Sequence, residues 1–138
     1  MAWMALIFSA STDLGAARGT SRIIGPILHW LKPDLSPETT ERIVFAVRKT
    51  AHITEYGLLA VLLWRALRKP FRGDPRPWSW AVAGQAVAVA VVYAGTDEFH
   101  QTFVPSRTGS IIDVLWDSTG AAVGLIILWL LGRRLNHW

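Results

Sequence analysis

The sequence predicts an all-α membrane protein, a small polytopic bundle of about four transmembrane helices. Three observations predict it. The run from Trp78 to Thr96 contains no charged residue, and Val114 to Leu131 contains only Asp117. A helix needs about 20 such apolar residues to cross the hydrocarbon core of a bilayer. Tryptophan falls near the ends of these segments, at Trp64, Trp78, Trp80, Trp116, Trp129 and Trp138. The indole ring is apolar while its N–H wants a partner, so Trp favours the headgroup boundary. The competing reading is a soluble bundle with unusually buried helices. The length of the uncharged runs favours the membrane.

The 138 residues form one domain, 1–138. The chain has no cysteine, which excludes disulfides and thiolate metal sites. Its net charge of +4 reads as asymmetry between loops. No basic helix face interleaved with exposed aromatics occurs, so nucleic acid is not an expected partner.

Taken in order, Met1 to Ala10 is apolar, but ten helical residues rise only about 15 Å, too little to cross. The first helix is therefore expected to be short or truncated. From Ser11 to Pro33 the chain holds Gly, Ser and Pro, yet Ile23, Ile24, Ile27, Leu28 and Leu31 recur at helical spacing. An amphipathic helix on the membrane surface and a loop with apolar anchors both fit. Ser36-Pro37-Glu38 starts the next helix: Ser caps free N–H groups, Pro suits the first turn, and Glu suits the positive dipole end. No breaker follows until Pro70, so this helix is expected to run about 30 residues, crossing with its later part from Lys49 to Leu67. A third segment runs from Trp78 to Gln101 and a fourth from Ser110 to Leu131.

Orientation follows from the loops. Arg65, Arg68, Lys69, Arg72 and Arg76 face only Asp74, and Arg133 and Arg134 follow the last segment. Short basic loops stay in the cytoplasm, which gives an N-in/C-in topology. Three polar clusters then share the outer side. Lys49, His52, Glu55 and Tyr56 open the second segment. Asp97, Glu98, His100 and Gln101 close the third, with Arg107 in the loop beyond. Asp113 and Asp117 lie in the outer half of the fourth. Lys49, His52 and Tyr56 share one helix face, as do Asp113, Asp117, Gly120 and Gly124, and Asp97 with His100 and Gln101 forms a third. The Gly120-x-x-x-Gly124 pair lets another helix approach closely. Ionisable groups inside membrane segments are expensive and mark sites by default. Each also has a structural reading: Lys49 paired with Asp113 or Asp117, the histidines as interhelical hydrogen-bonders. The convergence of so many groups favours a site.

These motifs resemble those of the VanZ-like family. The resemblance is carried by Arg48-Lys49-x-x-His52-x-x-Glu55-Tyr56-x-x-Leu59, by Asp97-Glu98-x-His100-Gln101-x-Phe103-x-Pro105-x-Arg107, and by Asp113-x-x-x-Asp117-x-x-Gly120-x-x-x-Gly124. Ile7-Phe8-Ser9-Ala10 is similar to the end of the family's first segment. The resemblance covers about Trp3 to Leu131. It implies a four-helix protein of the bacterial cytoplasmic membrane, whose namesake is associated with low-level teicoplanin resistance. Asp117 departs from the family, which often has Asn there.

Two functions are expected, the first ranked higher. One is a binding or accessory protein whose outer polar cleft holds a lipid headgroup, a lipid-linked cell-wall intermediate or a glycopeptide. Lys49 and Arg107 would receive phosphate or carboxylate, with Asp97, Glu98, Asp113, Gln101 and Tyr56 completing the contacts. The other is an enzyme on a lipid-linked substrate. His52 or His100 would act as acid or base, and Glu98 or Asp113 would orient the imidazole. No P-loop or nucleophile motif occurs and no cofactor is expected. Metal-ligand spacing such as His-x-x-x-His is absent, so no metal is expected. Four short helices with polar groups at one end do not make a pore, although a homo-oligomer could enclose one.

Overall fold

The computed structural model describes residues 2–10, 17–69, 76–104 and 109–136. Among them are five helices and no strand: α1 (Ala2–Ala10), α2 (Ala17–Leu31), α3 (Pro37–Arg68), α4 (Trp80–Gln101) and α5 (Ile111–Arg134). Arg107 and the rest of 105–108 lie outside the described residues, as do 70–75 with Arg72 and Asp74.

The local signals read from the sequence act as expected. The Ser36 side chain accepts from Thr39 N at 3.2 Å, with Pro37 in the first turn of a helix of 32 residues. Its length is about 48 Å, so α3 is longer than a bilayer is thick. Ser79 and Ser110 cap α4 and α5 in the same way. The ambiguous stretch before Pro33 is helical despite Pro26. It leaves Ile23, Ile27, Trp30 and Leu31 exposed while Ile24 and Leu28 are half-buried.

Among the described residues one helix, Ile111–Arg134, is long and apolar enough to cross a membrane, with mean hydropathy 1.8. In α4 the apolar residues are mostly Ala and Val, interrupted by Gln85 and ended by Asp97 and Glu98. In α3, Arg48, Lys49, His52 and Glu55 lower the apolar content of the middle turns. The helices are nevertheless apolar outside and polar within. On α5, Leu115, Val123, Ile126, Ile127 and Leu130 are exposed, while Asp117 is completely buried. An apolar exterior around buried carboxylates is the reverse of a water-soluble surface and suits hydrocarbon.

The axis of the bundle is the seam between α3 and α5, which run parallel. Lys49 lies opposite Asp113, and Gly57 opposite Gly124. At that seam a Cβ on Gly124 would stand 2.6 Å from the Gly57 carbonyl oxygen and 2.7 Å from its Cα, and one on Gly120 would strike the Ile53 backbone. The small-residue pair expected from sequence is thus in use, and its partner is the backbone of α3 at Ile53 and Gly57. α4 runs antiparallel to both. It packs through Ala83, Ala86, Ala90 and Ala94, a buried stripe at helical spacing. The same face continues towards the C-terminus of α4 as Asp97 and Gln101. Below it, Tyr56, Leu59, Ala60 and Trp64 of α3 and Ala121 and Leu125 of α5 complete the core.

α1 covers only one half of this bundle, consistent with its nine residues. Ile7 is buried, Trp3 Nε1 donates to the Glu55 carbonyl at 3.1 Å, and the Tyr93 hydroxyl donates to the Met4 carbonyl at 2.6 Å.

Candidate functional site

Three helices bring their polar residues to one end of the bundle. Parallel packing of α3 and α5 sets Lys49 against Asp113 and, about one turn deeper, His52 against Asp117. Lys49 Nζ donates to Asp113 Oδ1. His52 Nδ1 lies 3.2 Å from Asp117 Oδ1. Three of the four side chains reach the surface: Lys49 and Asp113 are 15% and 22% exposed and His52 20%, while Asp117 is at 0%. The site therefore has a narrow polar mouth above a buried floor.

The antiparallel α4 supplies the third wall. Gln101 Nε2 donates to Asp97 Oδ2 at 3.2 Å and to Glu98 Oε1 at 3.1 Å. The Ser110 backbone N–H donates to Glu98 Oε2 at 2.8 Å, which ties the end of α4 to the start of α5. All three α4 side chains are buried. The Tyr56 hydroxyl lies in the field of Asp97, Asp117 and Glu98, so the carboxylates of two helices and the phenol of a third form one electrostatic unit. Glu98 in turn lies in the field of Asp113, Asp117 and Asp97.

Among the described residues, the Tyr56 hydroxyl and Asp117 Oδ2 are buried with no hydrogen-bond partner. Buried polar atoms are nearly always paired, and each one left unmade costs about 1–3 kcal/mol. The Asp117 oxygen is an acceptor and the phenol both donates and accepts, so the two atoms can take hydrogen bonds from a ligand. No group of three or more His, Asp or Glu side chains among the described residues is arranged to hold a metal ion.

The structure assembles most of the residues singled out by sequence, with three differences. Lys49 is spent on Asp113, so a phosphate would have to share it. The partner of His52 is Asp117, whereas Glu98 or Asp113 was expected to orient it; Glu98 faces Gln101 and Ser110 instead. His100 joins none of these pairs: its ring lies 4.4 Å from that of Phe8 on α1. Glu55 is half-buried near His52. Arg107 falls outside the described residues. Sequence reasoning missed Tyr93 and Gly57. A lone Tyr inside an apolar segment was a signal for the first; Gly57 directly after Tyr56 gave no periodic signal.

No curated protein and no solved structure matches the chain. The VanZ/LLP1 family profile matches residues 1–132 of it. That match spans all five helices up to the last turn of α5 and contains every polar residue of the site. The chain belongs to the VanZ/LLP1 family, as a membrane protein built around a buried His52–Asp117 pair.

Proposed function

We propose that this end of the bundle is a binding site at the outer membrane face for the polar head of an envelope lipid. The ligand class is a phospholipid headgroup, a lipid-linked cell-wall intermediate or a glycopeptide. The observation that carries the reading is the unpaired floor of the site, Tyr56 hydroxyl and Asp117 Oδ2, beneath a partly open mouth. Hydroxyls or an amine of the ligand supply the missing donors. Arg107 is assigned its phosphate or carboxylate, where a planar guanidinium binds in two-pronged fashion. A link to teicoplanin-type resistance would follow from holding such a lipid, and rests on the family alone.

The topology that goes with this reading is four spans with both ends in the cytoplasm of a bacterium, supported by the basic residues at 65–76 and 133–134. It is open to direct test because the native chain has no cysteine. A cysteine placed at Ser106 should react with an impermeant maleimide in intact cells, and one at Arg72 should not. The opposite labelling would move the site to the cytoplasmic face.

A second reading is favoured by one geometry. His52 against a fully buried carboxylate is the arrangement of an oriented acid–base imidazole. Under it the site acts on its lipid-linked ligand rather than only holding it. His52→Gln separates the two: loss of turnover by about a hundred-fold or more with ligand retained indicates chemistry.

The binding reading is tested by mass spectrometry of lipids that copurify with the protein. One phosphorylated lipid should be enriched over the bulk, and Arg107→Ala and Glu98→Gln should each abolish the enrichment. Bulk lipid alone, unchanged by either substitution, would leave the cluster a structural network.

A further inference from the structure

The far end of the bundle carries a second constellation that the proposed site does not use. Arg65, Arg68, Lys69 and Arg76 lie here, and Arg133 and Arg134 end α5 close by, where Trp129 meets Trp80. Here an open pocket of about 640 Å³ lies between the last turn of α3 and the first turn of α4. Its wall includes Leu67, Arg68, Arg76, Ser79, Trp80 and Val82.

The wall has two characters. One side is cationic and fixed. Arg68 is only 7% exposed and donates to the carbonyls of Pro77 at 2.8 Å and Arg76 at 2.5 Å. Arg76 donates back to the Arg68 carbonyl at 3.0 Å. These bonds pin two guanidinium groups beside the start of α4, where free N–H groups and the helix dipole also favour an anion. The other side is apolar and open: Leu67 is 46% and Trp80 59% exposed. A row of indoles borders it, with ring centroids 5.0 Å apart for Trp64 and Trp78, 5.7 Å for Trp78 and Trp80, and 5.4 Å for Trp80 and Trp129. Arg68 and Arg133 lie over the faces of Trp64 and Trp129. Indoles backed by arginines mark the level of the headgroups.

We infer that this pocket binds an anionic phospholipid, its headgroup phosphate on the Arg76 and Ser79 side and its chains along Leu67, Trp80 and Val82. The cations would serve a free phosphate equally well, but a free phosphate leaves Leu67 and Trp80 uncovered. An amphiphile complements both halves of the wall. In the orientation proposed above, this is a lipid of the cytoplasmic leaflet, where basic residues near the surface each contribute about 1 kcal/mol towards anionic lipid. The assignment does not depend on the site at the other end.

The test is native mass spectrometry of the full chain in detergent, offered equal amounts of phosphatidylglycerol and phosphatidylcholine. Phosphatidylglycerol should be retained in preference. Ser79→Asp is the informative variant. Ser79 caps α4, accepting from Val82 N at 3.3 Å. Asp caps as well and suits the helix dipole, so folding is preserved, while its charge opposes the phosphate. It should lower phosphatidylglycerol retention about five-fold with the melting temperature unchanged. Arg76→Gln should act in the same direction, and Arg42→Gln, an exposed cation near the other end of α3 that belongs to neither site, should leave the preference intact. Equal retention of the two lipids, or a preference untouched by Ser79→Asp, overturns the assignment. Displacement of phosphatidylglycerol by millimolar inorganic phosphate overturns it in favour of a free-anion site.

Discussion

Gly124→Val should separate α3 from α5 and abolish the native bundle. The new side chain has nowhere to go, because its first carbon would already stand 2.6 Å from the Gly57 carbonyl oxygen. That neighbour is backbone, which cannot swing aside like a side chain. Overpacking in a well-packed interior costs typically 1–3 kcal/mol, and about 3 kcal/mol or more is expected where backbone meets backbone. The same change moves Lys49 from Asp113 and His52 from Asp117, since both pairs bridge this seam. Gly84→Ala and Gly95→Ala are the matched controls, having nothing within 4 Å of an added Cβ. They should be neutral or stabilising by up to about 1 kcal/mol, through helix propensity alone. Denaturation in mixed detergent micelles reads the difference. Equal stability of Gly124→Val and the native chain would refute the seam.

The second large effect is expected at Asp117. Replacing it with Ala removes a carboxylate at 0% exposure and leaves His52 without its counter-charge. Breaking a buried ion pair from one side costs about 3–5 kcal/mol when the remaining charge cannot escape. His52 can shed its proton and is 20% exposed, so a loss nearer about 2 kcal/mol is expected. Asp117→Asn keeps an acceptor for the imidazole and should cost about 1 kcal/mol. A stability order of native, then Asn, then Ala, measured by thermal unfolding, follows from the pair. Equal stability of all three would mean that the pair holds nothing together.

Much of this was legible in the sequence because the signals were local or periodic. Ser36-Pro37-Glu38 marked the start of α3 within a residue, since a cap needs only its own turn. The faces holding Lys49, His52 and Tyr56, and Asp113 and Asp117, followed from helical spacing. The register between helices did not. Whether Lys49 met Asp113 or Asp117 depended on the depth at which Gly57 and Ile53 meet Gly124 and Gly120, a backbone contact invisible to periodicity. His100 shared a face with Asp97 and Gln101 by spacing, yet its ring lies against Phe8, because α1 packs along that edge of α4. The helical state of 17–31 was undecided because Gly25 and Pro26 argued against the apolar repeat, and the repeat won.

The central claim is that the polar cluster around Lys49, His52, Asp113 and Asp117 exists for a ligand and not only to join helices. The most direct measurement exchanges the charges of its mouth, Lys49→Asp together with Asp113→Lys, and records both stability and lipid enrichment. Each single substitution places like charges together and should destabilise the protein. The double exchange rebuilds the ion pair and should recover most of the stability. A ligand that reads the positions of those charges should not return, so the phosphorylated lipid enriched by the native chain should stay lost. Recovery of stability and of the enrichment together would contradict the account, because it would mean that the mouth contributes an ion pair and no recognition.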